Sequence, residues 1–289
     1  MARAPPLQGG CRGFKSLWAH VTNPTLAQLA KIIEKPYPKS LASDWDSIGL
    51  IIGKQKNVIK KILLTVDITK DIVNEALENG IDLIISHHPL MLEPVEVEDV
   101  RKYKENIKEL MIEKNLSLYV AHTNADAAKG GVNDSLAKIL NLKNVKSFGP
   151  NNIGRYGQLE KSEKLERIIQ SLKRIFPSSQ NAILVSGNLN KQINSIAVCG
   201  GSGSFLLEQV RNLNIDLFIS ADLKHHSVLD NKELSGPALI SLSHWASERI
   251  WLDDFLIQLT KDLQKSNLNS EVLITTRTTD PWDLSVGSN

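Results

Sequence analysis

Three short segments place histidines and carboxylates where an α/β protein would hold a ligand. Ser86-His87-His88-Pro89 follows the apolar run Ile-Asp-Leu-Ile-Ile, His122-Thr123-Asn124-Ala125-Asp126 follows Leu-Tyr-Val-Ala, and His244-Trp245-Ala246-Ser247-Glu248 follows Leu-Ile-Ser-Leu-Ser. Open α/β sheets bind ligands just beyond the carboxyl ends of their strands. Neutral imidazole suits divalent zinc, iron, manganese or nickel, and Pro89 restricts the backbone of His88. Asp126 offers two oxygens able to bridge two cations. Glu248 lies four residues after His244, so both face the same side of a helix beginning near Trp245. Each segment alone fits a surface loop, a helix entry or an exposed i,i+4 pair. Together His87, His88, Asp126, His244 and Glu248 form a coherent ligand set for two cations, with water in the open positions. His122 reads as an outer group or a weaker ligand.

Other features narrow the chemistry. Gly200-Gly201-Ser202-Gly203-Ser204 lies between a strand and a helix but matches neither the dinucleotide fingerprint nor a P-loop, so a tight turn and a phosphate site stay equally open. Asp222-Leu223-Lys224-His225-His226 could line the same cleft, with Lys224 on an anionic substrate, or be a solvated loop. No Gly-x-Ser-x-Gly elbow supports a serine nucleophile. Two cysteines, Cys11 and Cys199, make no disulfide framework and fit a reducing compartment. The formal net charge of +2 gives no basic stripe for direct nucleic-acid binding. No apolar run is long enough to span a bilayer. Arg3, Arg12 and Lys15 precede the first acidic residue, Glu34. Residues 1–24 therefore read as a flexible tail or a targeting segment. The compartment expected is the cytoplasm, with mitochondrion or nucleus as alternatives.

The elements that must position these residues alternate. Strands are expected at Ile62–Val66, Leu83–Ser86, Ser117–Ala121, Ala182–Ser186, Ser195–Cys199, Leu217–Ser220, Leu239–Leu242 and Val272–Thr275. Helices are expected near Leu26–Glu34, Lys70–Glu78, Tyr103–Lys114, Asn133–Leu140, Glu163–Ile175, Phe205–Leu213 and Trp245–Leu263. Asn133 and Asp134 read as caps, and Glu105 as a residue of a first turn. The alternation argues for an α/β fold. Residues 62–86 and 196–220 also align without a gap, and in each half a later strand ends in histidine, at His122 and His244. This points to two topologically similar α/β halves (25–145 and 194–289) facing a shared cleft, joined by a connector at 146–193 with a strand around Tyr156–Leu159.

In order along the chain, Trp45 through Leu50, Ser86 through Pro89, His122 through Asp126, Gly154-Arg155-Tyr156-Gly157, Cys199 through Ser204, Leu223 through His226, His244 through Glu248 and Asp280-Pro281 resemble the Nif-three-like family. Its bacterial members often bear the name GTP cyclohydrolase I type 2 homologue. The resemblance implies a two-metal site of His87, His88, Asp126, His244 and Glu248, with Asp126 and Glu248 bridging. It also implies an α/β fold of two similar halves and a homo-oligomer, commonly a hexameric ring. Longer relatives carry an extra domain that the short connector leaves out here. Eukaryotic relatives often replace the first histidine of the pair with tyrosine, whereas this chain keeps both. Ala221 stands where glycine is typical, and Ser243 where glycine or an acid is usual. The function expected is metal-dependent hydrolysis of a small, nucleotide-like substrate, with His122, Lys224 and His226 orienting substrate or moving protons. The alternatives are a non-enzymatic co-regulator adaptor with structural metals, acting through protein partners in transcription, and metal storage or delivery.

Overall fold

A computed structural model of the chain describes residues 22–92, 97–176 and 183–284. The expected tail or targeting segment lies outside the described residues apart from 22–24, as does Cys11. In chain order the described residues form α1 (Leu26–Glu34), β1 (Gly49–Ile52), β2 (Lys61–Thr65), α2 (Lys70–Glu78), β3 (Leu83–Ser86), α3 (Glu98–Glu113), β4 (Ser117–Val120), α4 (Thr123–Ala127), α5 (Val132–Ile139), β5 (Lys143–Phe148), β6 (Gly154–Lys164), α6 (Leu165–Ile175) and β7 (Leu184–Ser186). They continue with β8 (Gln192–Ser202), α7 (Leu207–Asn212), β9 (Leu217–Ala221), α8 (His225–Glu233), β10 (Ala238–Leu242), α9 (His244–Arg249), α10 (Trp251–Lys265) and β11 (Glu271–Ile274).

Two mixed sheets result. The first has the order β1-β4-β3-β2-β11 and the second β5-β6-β8-β9-β10-β7. Strands β2, β3 and β4 are parallel neighbours, and so are β8, β9 and β10, which is the repeat seen in the sequence. The inner strands are apolar throughout because both faces are covered. In the first sheet Ile62, Leu64, Leu83 and Ile85 enter one core, and Leu63, Ile84, Leu118 and Val120 the other. In the second, Ile196, Val198, Leu217 and Ile219 alternate with Ala197, Cys199 and Phe218 in the same way. The connector does not stand apart: β6 pairs with β8, and β7 with the outer edge of β10. The end of the chain returns to the first sheet, where β11 lies parallel to β2. Helix α10 brings Trp251 and Phe255 into the core that α1 fills with Leu26 and Leu29. Burying each such large side chain contributes about 1.5–3 kcal/mol, so the two halves are tied by packing as well as by a shared sheet.

Local chemistry sets the helix starts. Thr25 and Gln28 form a capping box on α1, Thr69 caps α2 and Ser243 caps α9. Three expectations need correction. Helix α3 begins at Glu98 rather than Tyr103, with Glu98 and Asp99 in its first turn, where acids suit the helix dipole. Asn133 and Asp134 are not caps, because α5 starts one residue earlier, from Gly131. The expected helix 245–263 is two helices, breaking at Ile250 between α9 and α10.

Candidate metal centre

His87 and His88 continue the sheet beyond β3. Their amides donate to the carbonyls of Thr65 and Val66 at 3.1 and 2.8 Å, and the Ser86 hydroxyl donates to the His88 carbonyl at 2.8 Å. The paired imidazoles therefore project from a hydrogen-bonded strand end rather than a free loop. Their ring centroids are 4.9 Å apart, and the His87 ring also rests 5.6 Å from that of Trp251 in the core. His87 is fully buried, and its Nδ1 donates to the Ala121 carbonyl at 2.9 Å. Burial pushes its pKa down, so the ring is neutral and Nε2 carries a lone pair.

The second loop supplies His122 and Asp126. The His122 ring sits 5.2 Å from His87 and 5.3 Å from His88, and nitrogens of the three rings lie within 4.8 Å of one another. Asp126 is buried on α4, 3.6 Å from Nε2 of His87. Burial, and then the nearby Glu248, hold its carboxyl well above the usual range. The third segment comes from the other half. Capped by Ser243, α9 aims His244 and Glu248 at the same point: Nε2 of His244 lies 3.0 Å from one oxygen of Glu248, and Nε2 of His88 lies 3.0 Å from the other. Burial works against the Glu248 charge, but His88, His244 and His87 outweigh it and hold its pKa well below normal. Burial likewise opposes charge on His88 and His244, yet Glu248 with Asp67 pushes His88 up to about 10, and Glu248 with Asp222 pushes His244 up to about 11.

Three aspartates hold the backs of the rings: Asp67 on Nδ1 of His88 at 2.7 Å, Asp46 on Nδ1 of His122 at 2.9 Å, and Asp222 on Nδ1 of His244 at 2.5 Å. A carboxylate behind a histidine fixes its tautomer and raises its basicity as a ligand. The sequence reading did not assign these roles. Asp46 and Asp222 lie inside segments it quoted, while only the position of Asp67 just past β2 could have pointed to it. The C-terminal segment braces the set: Thr279 donates to Asp67 and Ser243 to Asp280, each at 2.5 Å. Asp67→Ala should therefore keep its fold, by circular dichroism, while binding zinc about 10–100-fold more weakly in chelator competition. Unchanged affinity would remove Asp67 from the site.

The Gly-rich loop closes the cluster. A Cβ on Gly201, at φ +64, would stand 2.5 Å from Glu248 and 3.1 Å from Nε2 of His244, so only glycine fits. Asn133 joins the halves here, accepting from the Gly200 amide at 2.7 Å and donating to the Asp126 carbonyl at 3.3 Å. The cluster lines a cavity of about 720 Å³, with His122 and the Gly-rich loop on its wall. Lys224 and His226 are not on that wall. The chain leaves β9 through Asp222 at φ +46, whose carboxylate meets His244, and residues 224–226 are exposed at the start of α8. The structure thus brings His87, His88, His122, Asp126, His244 and Glu248 together and leaves the other two outside.

Two buried atoms test whether cations fit: Nε2 of His87 and the Asp126 oxygen 3.6 Å from it have no hydrogen-bond partner. Buried polar atoms are rarely left so. Here they lie side by side in a nitrogen–oxygen donor set of the kind that binds first-row divalent ions. His87–His88–His122 and His88–His244–Glu248 each form a group compact enough to hold one ion.

Known proteins resemble this chain in sequence and fold. A family model described as Duf34/NIF3 (NGG1p interacting factor 3) matches residues 24–281. The chain is 30% identical to a GTP cyclohydrolase 1 type 2 homolog of Streptomyces coelicolor over 92% of this chain and 96% of that protein. It is 33% identical to the NGG1-interacting factor 3 of Saccharomyces cerevisiae over 84% and 92%. The crystal structure of Staphylococcus aureus hypothetical protein SA1388 superposes with a TM-score of 0.81 at 27% identity, covering 91% of this chain and 100% of that one. Among the described residues no helix is long and apolar enough to cross a membrane.

Proposed function

Since the chain belongs to the Duf34/NIF3 family, we propose that it is a metal-dependent hydrolase of a small, nucleotide-like substrate, holding two divalent cations between His87, His88, Asp126, His244 and Glu248. The observation that carries this is the pair of unpartnered buried atoms in the cleft, Nε2 of His87 and one oxygen of Asp126. Asp126 and Glu248 would hold the ions together with the histidines, since each buried carboxylate lies within 3.6 Å of a ring nitrogen of the cluster. Bound cations supply Lewis acidity, polarising an oxygen of substrate or water. The chain's own residues do the rest. Asp46 holds Nδ1 of His122 and leaves Nε2, on the cavity side of the cluster, as the group that takes up a proton. The cavity excludes bulk water from the buried carboxylates. Lys224 and His226 have no part in this reading, because they stand outside the cavity.

The metal-free site carries protons that ligation must displace. With pKa values about 10 and 11, His88 and His244 are protonated at pH 7, whereas a ligating nitrogen must be free of its proton. Zinc loading at pH 7 should release about one proton each from His88 and His244, in addition to any carried by Asp126, and affinity should rise with pH. Calorimetry in buffers of different ionisation enthalpy reads this directly. Binding without proton release would place the metal elsewhere.

The name of the yeast relative favours a second reading, a protein-interaction factor with structural metals. Metal-loaded protein offered a panel of nucleotides and cyclic esters separates the two. Turnover abolished by chelation supports the hydrolase. A fold that melts at lower temperature on chelation, with no substrate consumed, supports the adaptor instead.

A further inference from the structure

The hydrolase reading leaves part of the cavity wall without a role. Besides the cluster it holds Lys104, from α3, and two aromatic rings, Trp45 and Phe205. Trp45 comes from the loop before β1 and Phe205 from the loop after β8, so each half contributes one ring. They are 59% and 57% exposed, whereas Tyr37, Trp251 and Phe255 pack into the core. The Trp45 ring lies 6.0 Å from that of His122, next to the cluster. Lys104 borders this cavity and a second one of about 540 Å³, which share Asp67, His88 and His244. Lys104 is half-buried, and no carboxylate among the described residues pairs with it. Among the described residues it is also the one lysine or arginine on the wall of the larger cavity.

Two uncovered rings in a concave site suit the flat faces of a planar ligand. An ammonium with no carboxylate partner among the described residues suits an anion, and one ammonium matches one phosphate rather than a polyphosphate chain. The volume of about 720 Å³ falls within the range of small-ligand pockets. Resting on the hydrolase reading, we propose that this cavity binds a planar heteroaromatic ring bearing a single phosphate, of the size of a nucleoside monophosphate. Lys104 holds the phosphate, while Trp45 and Phe205 hold the ring.

Calorimetric titration of the zinc-loaded full-length protein with AMP, GMP, their nucleosides and ribose 5-phosphate tests this. At least one monophosphate binds. Lys104→Met weakens the monophosphate and ribose 5-phosphate about 10–100-fold and leaves the nucleoside unchanged, while Lys104→Arg retains phosphate binding. Trp45→Ala weakens the monophosphate and the nucleoside about tenfold and leaves ribose 5-phosphate unchanged. Zinc content stays the same in every variant. Failure of both monophosphates to bind, or loss of the split between phosphate and ring, overturns the proposal, as does a nucleoside triphosphate binding tenfold more tightly than its monophosphate. Binding does not require turnover. The split seen without hydrolysis would remove the hydrolase reading alone, whereas hydrolysis with KM unchanged in both variants would remove this inference alone.

Discussion

The Asp126→Ala, Glu248→Ala double variant is expected to lose stoichiometric metal and, with it, all turnover that depends on metal. The two single variants should separate the roles of these carboxylates. Glu248 is a charged group at the meeting point of His87, His88 and His244. Glu248→Ala leaves those imidazoles without their anion and should destabilise even the metal-free protein by about 3–5 kcal/mol at pH 7. Its pKa is depressed in the fold, so this contribution is present at neutral pH and fades as acid titrates the carboxylate. Asp126 is different: burial and Glu248 keep its carboxyl protonated well above the usual range. Asp126→Ala should therefore cost metal while changing metal-free stability much less. Urea unfolding with and without zinc, alongside metal analysis, distinguishes the two. A double variant with full metal content and unchanged turnover would contradict the assignment.

Arg155→Met is expected to unfold about 3–5 kcal/mol more easily than the parent chain. Arg155 is 5% exposed and links the connector to the first half. Its guanidinium pairs with Asp134 and donates to the carbonyls of Ala127 at 2.9 Å, Ala128 at 3.0 Å and Asn152 at 2.5 Å. The first two of these carbonyls end the segment that carries Asp126. Methionine fills much of the volume but takes the guanidinium from Asp134, which keeps the Gly130 amide, and from the carbonyls of Ala127, Ala128, Asn152, Ile153 and Gly154. Zinc affinity should fall with stability, because the Asp126 loop loses its anchor. Arg155→Lys should not rescue either property, since one ammonium cannot reproduce the planar fork. Loss of under about 1 kcal/mol would show that the backbone reorganises around the gap.

Much of this was legible because the inner strands are buried on both faces. Continuous apolar runs such as Leu83–Ile85 and Leu118–Val120 mark their own ends, and the candidate ligands stand just beyond those ends. The surface was harder to read. Strand β5 is exposed over all but its last residue, and α8 buries only Asn231, so neither has an apolar period to detect. Asn133 and Asp134 look like caps by residue type, but besides nearby contacts with Asp126 and Gly130 each reaches a partner far along the chain, Gly200 and Arg155. The same applies to Asp67: no local spacing ties it to His88 or Thr279, and only the sheet brings them together. Lys224 and His226 stand off the cavity wall for the opposite reason. Their residue types suit chemistry, but the turn at Asp222 spends its one inward carboxylate on His244 and carries the rest outward.

Crystals of the metal-loaded protein, measured on both sides of the absorption edge of the added metal, test the central assignment most directly. Two anomalous peaks are expected within the ring of His87, His88, Asp126, His244 and Glu248, and both should vanish in the double variant. A folded, metal-saturated crystal with no anomalous density among those five side chains would contradict it.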